Sequence, residues 1–558
     1  MSNVNLIDPD LRDETIAECL AIWEEAEREK AELDRKRKRR PIARIWDGDW
    51  KQGGVITGYL ELTYRWVKNN TGSANLKLPF DHHIAKWCLD HQRRGTLNIH
   101  MTVDKDGTRW GGRAKTVSID RTSDGTKYVE VEFLDDYEEL KYYQVWPNPF
   151  TPAAFQFPKT FILAGPSRYM LKLSLFVNLM RQQSSIWHLP DDPLDPASWA
   201  QGLMPWNWSK VIQPGSFLMD DSQWCILHSR FKNWHDMAAP ILEDAGLVVK
   251  TRRWLEGDEL PYPGAIMRNG QLMIDIVDKS GVFEQTSHGG TIAGGLVRTI
   301  TKHADNLVDE VVTTLTNPVV PAEYTVSKLV GTHPQWPWVV FRDGVSGVES
   351  SKYTWTPATA VQFNGGGQSA PGVNEGIEMS VKLAGNLFFQ AFTGVGGGGE
   401  ILNTALEPLY TDVLLAFYSF KSVVRSARAG WDHYFEQFIQ GGGTGYTLSA
   451  AMALRSAMWR TRTRESLQVD VGDGGPYLVG EQGQGHFFLG DRIGVAVDGL
   501  PDDRIVVEQV QEAEYTDARD KFGWKLKIGE RSDQESPVEM SLRHLQSVFG
   551  ALQEWGAL

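Results

Sequence analysis

Asp81, His82, His83, Cys88 and His91 lie close together in the sequence, and all are of types that ligate metal ions. A zinc site would need several of them on one face of a helix. His83 and Cys88 are five residues apart, on poorly matched faces. The group is therefore read as surface and packing residues. Gly289-Gly290 and Gly294-Gly295 form a GGxxxGG pattern, but no GK[ST] follows, so a phosphate-gripping loop is not indicated and a flexible loop is the reading. There is no GxSxG elbow and no HExxH. The carboxylates are abundant but form no local constellation suited to acid–base chemistry. The sequence thus names no catalytic residue, no metal ligand and no cofactor site, and a non-enzymatic role is expected.

The chain that holds these residues has 558 positions, enough for three or four domains. Its formal net charge is -14, which argues against the broad basic footprint of a non-specific nucleic-acid binder. Cys19, Cys88 and Cys225 are far apart and make no CxxC pair, as suits a chain folding in a reducing cytosol. The first residues, MSNVNLIDPDLRDE, lack the pattern of a signal peptide, and no apolar run reaches the ~20 residues of a spanning helix. With 21 Trp and 54 Gly, the composition leans toward an assembling protein whose aromatics serve interfaces as well as cores.

The expected fold class is α+β and multi-domain. Residues 1–40 read as a charged docking helix, with Ile16, Leu20 and Trp23 as a thin apolar stripe facing another subunit or a neighbouring element. The basic run Arg35 to Arg40 reads as a solvated helix end rather than a nucleic-acid patch. Residues 41–150 read as a first β domain of short strands, with turn signals at Asn70-Thr71-Gly72, Asp104 to Gly107 and Ser123 to Gly125. A helix-like piece, FDHHIAKWCLDHQRRG, interrupts them. Residues 151–240 mix loop and helix and are rich in aromatics. Residues 241–380 hold an αβ unit, with a Gly246 stop and a strand from Leu247, and then a second β domain. Within them, 286–315 reads as Gly-rich coil ending in a helix. Residues 381–445 read as an apolar Gly-rich loop followed by a long amphipathic helix near 402–440. Residues 446–558 read as a β-rich domain with a terminal helix.

Two stretches carry a family resemblance: GYLELTYRWVKNNTGSANLKLPFDHHIAKWCL and GRAKTVSIDRTSDGTKYVEVEFLDDYEELKYYQVWPNPF. Both resemble the first domain of tail hub proteins of long-tailed phages. MAAPILEDAGLVVKTRRWLEGDELPYPGAIMRNGQLMIDIVDKSG resembles their inner αβ domain. GGGQSAPGVNEGIE and FFLGDRIGVAVDG followed by DDRIVVEQV resemble later parts of minor tail proteins from phages of actinobacteria. The ordered series covers most of residues 41–530. It implies a structural virion protein at the tail tip, with barrel- or sandwich-like tail-tube-type domains and αβ inserts. It further implies a homotrimeric ring joined to the distal tail tube, to other minor tail proteins and to the receptor-binding apparatus. Such a ring helps gate DNA exit and passes DNA through its lumen without specific binding. The weaker alternative is a cell-wall hydrolase or carbohydrate-binding tail protein.

The segment 383–399 stands apart, since it carries no charge and holds Leu387, Phe388, Phe389 and Phe392 ahead of a run of glycines. One reading is a plug buried in the hub or between subunits. The other is a tip that enters the host membrane during DNA delivery, with the following helix lying in the interface. The two readings are compatible as successive states.

Overall fold

The computed structural model describes residues 9–279 except 124, 191 and 221, then 314–316, 339–366 except 343–345, 417–439, 461, and 464–529 except 474 and 500–503. The chain begins with α1, Pro9–Arg37, much as the sequence predicts. Seven strands follow: β1 (Ile42–Asp47), β2 (Gln52–Val55), β3 (Glu61–Val67), β4 (Asn70–Pro79), β5 (Ile99–Lys105), β6 (Thr108–Arg121) and β7 (Lys127–Asp135). A short helix, α2 (His83–Leu89), sits between β4 and β5. In β4, Gly72, Ala74, Leu76 and Leu78 point inward while Ser73, Asn75 and Lys77 point outward. That alternation sets the strand's register against its neighbours. Asp106 and Gly107 both take positive φ, 47° and 78°, as the two-residue turn joining β5 to β6 requires.

A mixed insert follows, comprising β8 (Phe161–Pro166), α3 (Ser167–Gln183), α4 (Pro196–Leu203), β9 (Lys210–Ile212), β10 (Trp224–Ser229), α5 (Trp234–Asp244), β11 (Leu247–Arg253) and β12 (Leu272–Asp278). Gly246, at φ 66°, ends α5, and β11 starts at Leu247 as the sequence predicts. The insert has its own core, centred on Leu171, Leu175, Trp234, Leu242 and Ile274.

The remaining strands are β13 (Thr314–Thr316), β14 (Val340–Arg342), β15 (Val348–Thr356), β16 (Gln362–Gly366), β17 (Phe417–Lys421), β18 (Glu436–Ile439), β19 (Arg464–Gly472), β20 (Arg492–Ala496), β21 (Arg504–Ala518) and β22 (Phe522–Gly529). β16, β17 and β18 form a separate three-stranded sheet, while the first seven strands join a later block, β13, β14, β15 and β19 to β22, in one sheet. Its main path runs β15-β19-β22-β21-β3-β4-β7-β6-β5-β1-β2. The seam is antiparallel, from Glu512 opposite Val67 to Ala518 opposite Glu61. One core spans it, from Ile45 and Leu76 to Val469 and Leu526. At the seam Tyr64, Trp66, Phe488, Tyr515 and Trp524 form an aromatic cluster.

Three expectations are corrected. Asn70-Thr71-Gly72 lies in β4, and the reversal is made one step earlier, at Lys68-Asn69, where Asn69 takes φ 52°. Asn tolerates that left-handed backbone, so the turn needs no glycine. Leu315 pairs with Ile505 in a strand instead of ending a helix, while 286–313 lie outside the described residues. The long amphipathic helix near 402–440 is replaced, over its described part, by β17, a helix of seven residues (Val423–Ala429) and β18. Phe417 to Lys421 is aromatic-rich and suits a strand, and pairing on both sides of β16 decides in favour of sheet. Gly430, at φ 87°, stops the helix. Residues 402–416 lie outside the described residues.

Candidate assembly interface

The insert is clamped to the sheet by buried charge. Arg253, at the end of β11, donates from Nε to both Asp136 carboxylate oxygens at 3.0 Å and from Nη2 to Oδ1 at 2.6 Å. Both side chains are 3% exposed. Nη1 donates to the Gly270 carbonyl, and the guanidinium lies 4.7 Å from the centre of the Trp50 ring. A Cβ on Gly111 would collide with the Asp136 carboxylate, so β6 can pass here only as glycine. Beside this pair, Arg109 bridges Asp104 and Asp258 and donates to the Arg253 carbonyl at 2.9 Å.

His100 stacks on Trp50 with ring centres 4.6 Å apart. Burial, then the positive fields of Arg253, Arg113 and Lys210, push its pKa down to about 2, so it packs as a neutral ring. The insert also reaches the later strands: Lys250 pairs with Glu481 at 2.5 Å, Lys279 pairs with Asp491, and Gln509 donates to the Lys279 carbonyl. Asn69 donates to the Leu247 carbonyl and accepts from Val249 N–H, which ties the β3–β4 turn to β11. Three parts of the chain are thereby fixed to one another.

Asp135 sits next to this clamp. Burial pushes its pKa up to about 8, partly offset by N–H bonds from Gly72 and Tyr137. A carboxyl whose folded pKa is raised contributes stability that is full below the unfolded value, about 4, and is lost as pH rises through about 8. Urea denaturation of the wild type should therefore show a fall in stability between about pH 5 and pH 8 that Asp135→Asn flattens. Parallel pH curves for the two proteins would rule this out.

The sequence-selected docking residues are solvent-facing. Ile16, Leu20 and Trp23 are 47%, 55% and 61% exposed, and every side chain of α1 from 16 to 32 is exposed. At 29 residues α1 is roughly 43 Å long and is held at its end. Arg37 donates to the Pro476 carbonyl at 3.1 Å and approaches Asp473, while Lys105 donates to the Arg37 and Arg39 carbonyls. The basic run is thus not simply a solvated end, since Arg37 is an anchor. The predicted plug or membrane-contact residues Leu387, Phe388, Phe389 and Phe392 lie outside the described residues.

The histidine-rich piece has local uses. His82 Nδ1 accepts from Ile84 N–H and caps α2, its Nε2 bonds the Thr57 carbonyl, and its ring stacks on His83. Cys88 is buried in the core. Among the described residues no group of three or more His, Cys, Asp or Glu is placed to hold a metal ion.

The main path of the sheet has two unlike ends. β15 pairs with β19 on one side, and no described strand pairs with its other edge, where Trp355 is 57% exposed. The opposite end is the four-residue β2. Sequence reasoning did not find the clamp residues Arg253, Asp136, Arg109 and Asp258. The available cue was two pairs of like charges at strand ends, Arg252-Arg253 in β11 and Asp135-Asp136 after Phe133-Leu134 of β7, a pattern that ordinarily reads as a strand leaving the core.

Comparison with known proteins agrees with the family resemblance. The chain is 33% identical to minor tail protein Gp28 of Mycobacterium phage L5, over 98% of this chain and 99% of that one. It is 32% identical to minor tail protein Gp28 of Mycobacterium phage D29, with the same coverage. Among solved structures, the tail protein from Neisseria meningitidis MC58 aligns at a TM-score of 0.37 with 11% identity, covering 88% of this chain and 97% of that one. The family described as siphovirus ReqiPepy6 Gp37-like protein matches residues 42–530, and the chain belongs to that family of phage tail proteins.

Proposed function

We propose that the chain is the hub at the tail tip of a long-tailed phage, three copies forming a ring that continues the tail tube. The ring links the tube to the host-recognition apparatus and gates DNA exit. The observation that carries this reading is the large sheet, whose main path has two unlike ends. A β15 edge unpaired among the described residues, meeting a different surface of the next copy, is a heterologous contact, and such contacts close into a ring when the rotation between copies closes. Exposed Ile16, Leu20 and Trp23 supply a second contact to the neighbouring copy. The net charge of -14 suits a lumen that lets DNA pass without gripping phosphate. The names of the two full-length relatives support a structural role in the tail without enzymatic chemistry.

A second reading, contact with the host membrane, is favoured by one surface. Trp431, Tyr434 and Phe435, between the helix Val423–Ala429 and β18, are 93%, 78% and 64% exposed. Trp and Tyr favour the bilayer interface, and these residues follow the uncharged segment 383–399 in sequence. Light scattering of the purified chain, electron microscopy of the assembled tip and a liposome flotation assay test both. Three copies per tip without flotation are expected for the hub. One or six copies would overturn the ring, and flotation of single chains would favour the membrane reading.

A further inference from the structure

Among the described residues, two apolar surfaces of different shape face solvent. The first is the stripe on α1. Ile16, Leu20 and Trp23 follow an i, i+4, i+7 spacing and so share one face. Every side chain of α1 from 16 to 32 is exposed, while the end of the helix is fixed to the sheet side by Arg37 and by the bonds from Lys105. Glu24 and Glu27 lie one turn beyond Leu20 and Trp23, and between 16 and 29 the helix holds five Glu against one Arg. A helix of this kind gains its stability by packing an apolar face, and this face is not packed on its own copy.

The second surface is an open groove of about 490 Å³ in the insert. α3 forms one side of it. Leu171 and Leu175 of α3 enter the insert core, whereas Tyr169, Leu173 and Phe176, again at i, i+4, i+7, line the groove. Trp206, before β9, and Ile266, between β11 and β12, complete the lining. Phe176, Trp206 and Ile266 are 37%, 42% and 60% exposed, and Phe176 is braced from beneath by buried Trp208, with ring centres 6.0 Å apart. The charge here is positive. α3 carries Arg168, Lys172 and Arg181 and no carboxylate, although Lys172 is paired with Asp275 at 2.5 Å. Arg268, next in sequence to Met267 of the lining, is exposed.

We propose that α1 of one copy lies in this groove of the next copy, with Ile16, Leu20 and Trp23 packed against Tyr169, Leu173 and Phe176. This contact rests on the ring reading and gives that ring the surface that receives α1. Three features select a second copy as the occupant. The stripe faces away from its own copy. The two faces present apolar side chains at the same spacing, which suits a helix laid in a groove. A Glu-rich helix meets a helix whose charges are all positive. A stripe on one copy and a groove on the other make the contact heterologous, as a closed ring needs. Three side chains on each side fall short of the ~1,200 Å² of a stable interface, so the contact adds to the β15 edge and does not replace it.

Mixing full-length variants tests the pairing in solution. Trp23→Asp spoils the stripe and Ile266→Asp the groove, both at exposed positions outside the cores. By sedimentation, each variant alone should self-associate about tenfold or more weakly than the wild type. An equimolar mixture should recover part of that loss, since one intact helix still meets one intact groove. Wild-type association should weaken as salt rises. Wild-type association by Ile266→Asp alone, or a mixture no better than either variant, would overturn the pairing. The second measurement is made in assembled tail tips, where the copies are together whether or not the purified chain self-associates. Trp23 is replaced by the photoreactive p-benzoylphenylalanine and the crosslinks are mapped by mass spectrometry. A species of twice the chain mass, joining position 23 to 169–179 or 262–267, is expected. Crosslinks within one chain, to another tail protein, to another surface of the second copy or to nothing would overturn the proposal. One copy per tip would overturn the ring, whereas three copies with position 23 crosslinked elsewhere would leave the ring standing and overturn this contact alone.

Discussion

Replacing Arg253 by Gln is expected to cost about 3–5 kcal/mol of stability, because it leaves the Asp136 carboxylate buried without its counter-ion. The side chain also loses its bond to the Gly270 carbonyl and its contact with Trp50. The effect should be regional. The insert from β8 to β12 should become sensitive to protease before the β1–β7 strands do, since its core is separate. The double change Arg253→Met with Asp136→Leu should recover much of the loss, as buried ion pairs are often replaceable by apolar pairs of similar volume. Denaturant midpoints of the three proteins measure this. A single-variant loss under about 1 kcal/mol would show that the pair is not what holds the insert.

Trp524→Ala is expected to cost about 3–5 kcal/mol through the cavity it leaves. Trp524 is 3% exposed and touches Tyr515 edge-on at 5.1 Å, Trp66 face-on at 5.9 Å and Phe488 at 6.2 Å. These rings belong to β3, β21, β22 and the loop before β20. The cluster therefore holds the seam at which the first seven strands meet the later block. Hydrogen exchange should show the β21–β3 amides losing protection more than those of β5–β6, a local hairpin away from the seam. A uniform loss across both pairs would mean that the seam has no separate strength. If the ring reading is right, a loosened seam should also lower the yield of assembled tips, because one sheet must then carry load across two blocks.

The elements with strong local signals were legible in the sequence. α1, the β5–β6 turn, α3, and the α5–Gly246–β11 unit all follow from caps, turn residues and periodicity that act within a few positions. The family was legible too, through the order of several motifs along 41–530. Where sequence reading failed, the deciding partner was distant. Phe417 to Lys421 has apolar spacing that fits a helix, yet β16, some fifty positions earlier, turns it into a strand. Lys68-Asn69 makes the turn assigned to Asn70 to Gly72, because the pairing of β4 with β3 already begins at Asn70 opposite Val67.

The sequence by itself determined the elements whose signals are local, such as α1, α3 and the α5–Gly246–β11 unit, since those depend on near neighbours. Only the tertiary structure decided that β3 and β21, more than four hundred residues apart, share one sheet. Only it decided that Arg253 meets Asp136 in the dry. A charge looks the same in sequence whether solvated or paired. Its worth is set by the water and counter-charge around it, and those are fixed by chain segments far away.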